Sequence, residues 1–239
     1  MALTQDSVDY RDGDAELSGL FIWNDSLPDR RPGVLVVHGG AGLDDHARGQ
    51  AKRFAELGFI VLVCDMYGKA VVGDRDRIMS CVTELRDDPA KMVRRARAGI
   101  EVLASHPNLN GGIAAVGYCF GGMVALQLAR YGTDIAGAIS VHGSLATSTP
   151  AAAGDVKAKI LVCHGSRDPY VPPAQVVEFM DEMNRAGADW QLIAYGAAMH
   201  GFTHEVDTET PGVAYDAAAD ARSFAAIKGL LAEIFGRIL

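Results

Sequence analysis

The sequence contains no apolar run that approaches the roughly 20 residues needed to cross a bilayer as a helix, so it predicts no transmembrane segment. Residues 1–17, MALTQDSVDYRDGDAEL, are acidic and lack the apolar stretch of a secretory signal. Together these absences predict a cytoplasmic protein with no membrane partner.

Positive charge is also scarce. The formal net charge is -8 at pH 7, and the basic residues form no block beyond the short cluster of Arg94, Arg95 and Arg97. Because a nucleic-acid-binding face is usually strongly basic, nucleic acid is excluded as an expected partner. We expect the three arginines to lie on the solvated side of a helix.

Cysteine is sparse and is not arranged for disulfides. The four cysteines form no Cys-x-x-Cys pair, and a chain of this length can build its core without disulfide staples, so we expect reduced thiols. Cys64 and Cys163 lie inside apolar runs, where a free cysteine packs as a small hydrophobic side chain.

Short apolar runs alternate with helical patterns along the chain, without an internal repeat or linker. Most of the runs are apolar throughout, which is typical of parallel strands covered on both faces. We therefore predict an α/β fold, in which a mostly parallel central sheet carries helices on both faces, as a single domain over 1–239. The predicted strands are 32–40, 59–68, 112–119, 135–143, 158–166 and 189–201, and the predicted helices are 46–58, 89–105, 120–131, 173–186 and 214–238. In the N-terminal segment, Asp12-Gly13 predicts a hairpin that adds antiparallel strands at one edge of the sheet.

The stretch AVGYCFGG, residues 115–122, places Cys119 between glycines, at the end of a predicted strand and directly before a predicted helix. Gly-x-Cys-x-Gly is the cysteine form of the nucleophile elbow. Such a sharp turn needs small residues on both sides, because side chains there would collide with the neighbouring strand and helix. The N-terminus of the helix also favours a thiolate. We predict that Cys119 is a nucleophile; the alternative is a buried cysteine between packing glycines.

A nucleophile of this kind needs a base and a group that orients the base, in the chain order nucleophile, acid, histidine. Asp168 follows the next-to-last predicted strand, and His200 lies at the end of the last predicted run. Both therefore reach the same rim of the sheet as Cys119. We predict that the three side chains form a catalytic triad.

Other aspartate and histidine residues compete for these roles. Asp65 also ends a predicted strand, but it precedes the elbow, so we expect it to bond its own loop. His142 and His164 are each followed by glycine and could also bond their own loops. His46 and His106 are interpreted as helix-end residues.

Catalysis at a carbonyl also needs two hydrogen-bond donors for the oxyanion. We predict the backbone N–H of Phe120 and that of Gly40, with Gly39 as the alternative, in the loop VVHGGAGLDDH, residues 36–46. This loop lacks the Gly-Lys-Ser/Thr of a phosphate-binding loop and the spacing of a dinucleotide-binding turn.

The same loop offers a weak metal-ligand set, His38 with Asp44, Asp45 and His46. An aspartate immediately before a helix is more typical of an N-cap, so we predict no metal and no cofactor. The predicted substrate pocket consists of Gly39, Tyr118, His142, Met199, Phe202 and His204, and the predicted loop 68–90 is a candidate cover for it.

The chain resembles the dienelactone hydrolase family, whose members are cysteine enzymes of the α/β-hydrolase fold. The resemblance covers nearly the whole chain and rests on PGVLVVHGGAGLDDHARGQAKRFAELGFIVLVCDMYG, AAVGYCFGG, ILVCHGSRDPYVP and MHGF. It implies the α/β-hydrolase fold, a triad of Cys119, His200 and Asp168, and hydrolysis of lactones and esters without metal or cofactor.

Two positions depart from the pattern that the resemblance implies. Founding members carry a glutamate near the thiol, where this chain has Gly39, and an arginine four residues after the catalytic histidine, where this chain has His204. A second substrate-binding arginine corresponds to either Arg75 or Arg77. Loss of a carboxylate and a cationic clamp predicts uncharged esters or lactones as substrates.

The sequence therefore predicts a hydrolase that cleaves small-molecule esters or lactones through a thioester acyl-enzyme, as a monomer or homodimer. A donor pocket built for a tetrahedral oxyanion could also serve attack on neutral phosphotriesters. A thioesterase or acyltransferase with the same triad, and a non-catalytic binding protein with the same fold, are the alternatives.

Overall fold

The computed structural model of the protein describes residues 3–27, 30–71, 73–205 and 210–236. Its strands form one sheet of eight, in the order β1-β2-β4-β3-β5-β6-β7-β8. The strands are β1 (Thr4–Asp12), β2 (Ala15–Trp23), β3 (Arg31–Val37), β4 (Ile60–Cys64), β5 (Leu109–Tyr118), β6 (Gly137–Val141), β7 (Lys159–Gly165) and β8 (Trp190–Tyr195).

The sheet is parallel from β4 to β8 and antiparallel at its N-terminal edge. The predicted hairpin is confirmed, since Asp12 pairs with Ala15 and Gly13 turns with a φ of +59°. The parallel strands β3 to β7 are apolar along most of their length because both of their faces are covered.

Helices cover both faces of the sheet, as predicted. The first and last helices contribute Phe54 and Ile227 to one core, and the four helices between them contribute side chains such as Met92 and Phe179 to the other. The helices are α1 (Asp45–Glu56), α2 (Arg75–Asp87), α3 (Pro89–Ala104), α4 (Phe120–Arg130), α5 (Pro173–Ala186) and α6 (Ala217–Phe235). No helix in the described ranges is long and apolar enough to cross a membrane.

The prediction of a loop over 68–90 is wrong. A single 3-10 turn at Lys69–Val71 is followed by α2, whose N-cap Asp74 accepts a hydrogen bond from the backbone N–H of Arg77. Leu85 of α2 is buried, and Ile78, Cys81 and Val82 pack half-buried against the same core, so these residues form an apolar stripe at helical spacing. The loop prediction overlooked this stripe among the charged residues that surround it.

The arginine cluster is also not fully solvated. Arg95 is buried and donates to Asp12 at 2.8 Å and to the carbonyl of Met66 at 3.0 Å, whereas Arg94 binds the other oxygen of Asp12 from the surface. Arg94 and Arg95 therefore tie α3 to the N-terminal hairpin, whereas Arg97 donates to the carbonyl of Tyr131 at the end of α4.

Three predicted strands extend at least three residues too far, and one of them is β4, which ends at Cys64 although the predicted strand continues to residue 68. β3 ends at Val37 and β8 ends at Tyr195, although the apolar runs continue to residues 40 and 201. In both places the extra residues leave the sheet and form loops at the carboxyl edge, where Gly40 and His200 lie.

Candidate active site

Cys119 occupies the turn between β5 and α4 with a φ of 55° and a ψ of -115°. A positive φ is rare for a residue with a side chain and persists only where the surroundings impose it. Its backbone N–H donates to the carbonyl of Val141 on the neighbouring strand at 3.0 Å. The turn is therefore held by the sheet, and it exposes the thiol at the carboxyl edge.

The glycines of the elbow are required by close backbone approach. A Cβ on Gly117 would lie 1.8 Å from the carbonyl oxygen of Gly121, and a Cβ on Gly121 would lie 2.1 Å from that of Val37. Neither contact can be relieved by a side-chain rotation, because both partners are backbone atoms. Strand and helix can therefore meet at Cys119 only with glycine at these positions.

The structure brings the three residues of the predicted triad together. The Nε2 atom of His200 lies 3.0 Å from Sγ of Cys119, and its Nδ1 lies 2.8 Å from Oδ2 of Asp168. The other carboxylate oxygen of Asp168 accepts the backbone N–H of Tyr170 at 2.8 Å. Asp168 is buried, so it presents a fixed acceptor that orients the imidazole.

The electrostatics of this contact favour an ion pair. Burial alone would raise the pKa of the Cys119 thiol, but the hydrogen bond and charge of His200 and the backbone N–H groups of Phe120 and Gly40 outweigh it and lower the pKa. Burial alone would lower the pKa of His200, but its hydrogen bonds to Asp168 and Cys119 raise it to about 10. The thiol thus tends to lose its proton to the imidazole.

The two predicted oxyanion donors converge on Cys119. The backbone N–H groups of Phe120 and Gly40 both reach the Cys119 sulfur closely enough to lower its pKa. The loop that carries Gly40 is fixed through the carbonyl of Gly39, which accepts from the Tyr67 hydroxyl at 3.1 Å. A Cβ on Gly39 would lie 3.6 Å from that of Cys119, in ordinary contact, so this loop runs directly beside the thiol.

His38 and Asp44, two residues of the weak metal-ligand set, have structural roles instead. Nε2 of His38 accepts the backbone N–H of Met66 at 3.1 Å, so its Nδ1 carries the proton and donates to the carbonyl of Gly39 at 2.8 Å. Asp44 caps α1 by accepting the N–H of Ala47. Within the described part of the chain, no group of three or more His, Cys, Asp or Glu side chains is arranged to hold a metal ion.

The other competing residues also have local partners. Asp65 accepts the backbone N–H groups of Ser18, Tyr67 and Gly68, which is the loop-bonding role expected for it. His106 packs between the aromatic rings of the N-terminal hairpin. Arg77, one of the two arginines considered for substrate binding, donates to the carbonyl of Ala70 on its own loop.

The predicted substrate pocket is closed to solvent at Tyr118, His142 and Phe202, and its lining stays a prediction. These three side chains lie beneath the candidate triad, with the rings of His142 and Phe202 5.0 Å apart, edge to face. Met199 and His204 are half-buried. Gly39 lies beside the thiol, as described above.

Sequence reasoning assigned no role at the site to three residues that the structure places there. His46 stacks on His204 with 3.6 Å between ring centroids, and the hydroxyl of Thr203 lies between His46 and His142. Tyr170 packs its half-exposed ring against His200 at 5.2 Å. Its position two residues after Asp168 is the one clue that the sequence offers for it.

The chain is similar to known proteins over nearly its full length. A profile of the Dienelactone hydrolase family matches residues 19–235. The crystal structure of the dienelactone hydrolase-like promiscuous phosphotriesterase P91 from metagenomic libraries is 40% identical, with a TM-score of 0.92 over 99% of this chain and 100% of that chain. The structure named m3DLH is 33% identical, with a TM-score of 0.92 over 98% of this chain and 100% of that chain. The Caenorhabditis elegans protein named "Uncharacterized protein K02A2.1" is 36% identical over 160 residues, which are 62% of this chain and 98% of that protein.

Proposed function

Because the chain belongs to the dienelactone hydrolase family and is therefore a hydrolase, we propose that it cleaves carboxylic esters or lactones through a thioester on Cys119. The observation that carries this proposal is the hydrogen-bonded line from Cys119 Sγ through His200 to Asp168, at 3.0 and 2.8 Å. Nucleophile, base and orienting carboxylate are all within reach of one another before any substrate binds.

Acylation starts from the thiolate–imidazolium pair. The Cys119 sulfur attacks the carbonyl carbon and forms a C–S bond, while the carbonyl π electrons move to oxygen. The N–H groups of Phe120 and Gly40 stabilise this oxyanion. When the intermediate collapses, the alkoxide leaves with the proton from Nε2 of His200, and a thioester remains on Cys119.

Deacylation uses the same groups in reverse. His200, now neutral, takes a proton from water through Nε2, and the hydroxide attacks the thioester carbonyl. Collapse of the second intermediate breaks the C–S bond and releases the carboxylic acid and the Cys119 thiolate. Throughout, Asp168 accepts the Nδ1 proton of His200 and keeps Nε2 aimed at the reacting atoms.

The surroundings of the candidate triad support an uncharged substrate. Burial lowers the pKa of His46, His142 and His204, the three other histidines near His200, so these rings are neutral at pH 7. Gly39 adds no carboxylate beside the thiol. A neutral acyl group therefore meets no unbalanced charge from these residues at the reacting centre.

Hydrolysis of p-nitrophenyl acyl esters and of a neutral lactone tests the proposal directly. We expect turnover by the wild type and its loss in both Cys119→Ala and His200→Ala. Equal rates in all three proteins would contradict the proposal. If the three are equally inert and Cys119 also resists iodoacetamide, Cys119 is a packing residue.

Neutral phosphotriesters are a second candidate substrate class, favoured by the 40% identity to a protein named as a promiscuous phosphotriesterase. The same thiolate would attack phosphorus and displace an aryloxide, with the two backbone N–H groups near the phosphoryl oxygen. Paraoxon hydrolysis tests this activity. A rate no higher than that of Cys119→Ala would rule it out and leave the ester activity unaffected.

A further inference from the structure

His142 is a second backbone outlier beside the candidate triad. It follows β6 with a φ of 42°, although it is not glycine, and only 1% of it is exposed. The neighbouring strand end carries the other outlier at the site, Cys119, and the two turns are joined through the hydrogen bond from Cys119 N–H to Val141. Strain of this kind concentrates at functional sites.

The strained turn sends the ring of His142 towards His200 and Thr203. The ring centroids of His142 and His200 are 5.4 Å apart, and Nε2 of His142 lies 2.8 Å from the hydroxyl of Thr203. Thr203 is itself buried and lies in the turn that follows His200. Nε2 of His46, on α1, approaches the same hydroxyl at 2.9 Å from another direction. One hydroxyl is thus held from both α1 and the end of β6.

The proton positions in this cluster follow from Gln50. Its Oε1 accepts from Arg53 at 2.9 Å and from the Tyr118 hydroxyl at 3.1 Å, so its amide nitrogen faces Nε2 of His46, at 3.4 Å. An amide nitrogen only donates, and Nε2 of His46 must therefore be unprotonated. The Thr203 hydroxyl then donates to His46.

A hydroxyl has one proton, so the Thr203 oxygen can only accept from His142. His142 is thereby fixed as the neutral tautomer that carries its proton on Nε2. A charged imidazolium there would lie close to the imidazolium form of His200, buried and without a carboxylate of its own.

We propose that His142 is a positioning residue that, together with His46, clamps the Thr203 hydroxyl and so holds the turn that presents His200 to Cys119. This inference rests on the proposed function, because it assigns the clamp to the same reaction. His142 does not exchange protons with the substrate; it acts through Thr203 on the geometry of the catalytic pair.

The clamp stays neutral while the catalytic pair is charged. Burial, together with the nearby His200, His204 and His46, holds the pKa of His142 well below its usual range. The groups that face His200 are Asp168 and Cys119, which raise its pKa, and the rings of Tyr170 and of His142 itself. Asp44 acts on His46 and His204, where it raises the pKa against the larger effect of burial. Catalysis near neutral pH therefore occurs with the clamp intact.

Thr203→Val removes the hydroxyl at nearly constant volume, and Thr203→Ser restores it. We expect Thr203→Val to lower kcat for p-nitrophenyl acetate by about tenfold to a hundredfold, since a displacement of about 1 Å can cost that much, while KM changes little. The pH midpoint of Cys119 alkylation should rise towards the ordinary thiol value of about 8.5. Thr203→Ser should recover most of kcat and the low midpoint.

His142→Gln and His142→Phe test the hydrogen bond that His142 donates to the Thr203 hydroxyl. Glutamine can donate an N–H at similar reach, whereas phenylalanine keeps the ring and cannot donate, so Gln should retain more activity than Phe. His106→Phe, at a histidine that packs against the hairpin far from this cluster, is the matched control and should leave kcat and the alkylation midpoint unchanged.

The outcomes separate the two proposals. If Thr203→Val and His142→Phe lower thermal stability alone, with kcat and the alkylation midpoint of the wild type, the clamp has no positioning role and this inference is overturned. If turnover survives in Cys119→Ala and His200→Ala, the proposed function fails instead, whatever the Thr203 variants do.

Discussion

Cys119 and Cys163 lie near the same edge of one sheet, yet the pKa values of their thiols are shifted in opposite directions. Cys163 lies within β7, is fully buried and accepts a hydrogen bond from the Tyr195 hydroxyl at 3.7 Å; burial raises its pKa to about 12. Burial also raises the pKa of Cys64, the last residue of β4. The pKa of Cys119 is lowered although burial opposes this.

The difference comes from the backbone, because the residue type is the same. Within a strand, the side chain of a buried cysteine points into a helix-covered core and meets mostly apolar groups. Directly beyond β5, the positive φ of Cys119 turns its thiol out of the core and towards His200 and two backbone donors. Cys119 is a candidate nucleophile because it lies just outside the strand, and four experiments test its contrast with Cys163.

Asp168→Asn should have the largest effect on activity. An asparagine amide can donate to Nδ1 of His200, which favours the tautomer with no proton on Nδ1 and spoils the base. We expect kcat for a p-nitrophenyl ester to fall on the order of 10³- to 10⁴-fold. The control is Asp189→Asn, at an exposed ion pair with Lys159, and an equal loss in both variants would contradict this role for Asp168.

Gly117→Ala should destroy the elbow itself. The added Cβ would lie 1.8 Å from the carbonyl oxygen of Gly121, so we expect a destabilisation above about 4 kcal/mol, measured by urea unfolding. Gly39→Ala is the matched variant, because its Cβ comes no closer than 3.5 Å to other atoms and should cost less than about 1 kcal/mol. Similar unfolding free energies of the two variants would contradict the close approach of Gly117 to the Gly121 carbonyl.

Alkylation by iodoacetamide should separate the thiols by pH. Since the pKa of Cys119 is lowered, its thiolate persists as the pH falls below the ordinary thiol value of about 8.5, and its alkylation should continue there. Peptide mass spectrometry would resolve Cys119 from half-exposed Cys81, whose pKa is raised by burial. In His200→Ala, the hydrogen bond and charge that most lower the pKa of Cys119 are lost, so the midpoint should rise. A Cys119 midpoint at or above that of Cys81 in the wild type would argue against the ion pair.

Cys163→Ala should have the smallest effect. It removes one buried sulfur and a long hydrogen bond, and we expect a loss of about 1 kcal/mol in unfolding free energy. Ester hydrolysis should be unchanged, because this thiol does not reach the candidate site. If Cys163→Ala folds but no longer turns over the ester, Cys163 takes part in the reaction, and its contrast with Cys119 is wrong.

The sequence predicted most of the fold, because parallel strands with two covered faces leave long apolar runs. It predicted α1 and the N-cap role of an aspartate at 44 or 45, and Asp44 takes that role. It missed α2, although Ile78, Val82 and Leu85 recur at helical spacing, because charged residues surround this short stripe. One domain over 1–239, a cytoplasmic location and a monomer or homodimer stay predictions.

The candidate site was predictable only where residues are close to a motif. Cys119, Phe120 and Gly117 belong to one pentapeptide, and Asp168 and His200 follow it in a set order. His46 and Thr203 are 157 residues apart in sequence, and no local pattern indicates that their side chains meet. A sequence pattern also could not show that His142 adopts a positive φ and turns its ring towards His200.

Trapping the acyl-enzyme tests most directly whether Cys119 is the nucleophile. The wild type is mixed with excess p-nitrophenyl ester, quenched with acid within the first turnovers and analysed by intact and peptide mass spectrometry. We expect one added acyl group, on Cys119, and none in Cys119→Ala. Rapid turnover by the wild type with the acyl group on another residue, or by Cys119→Ala at the same rate, would contradict this expectation.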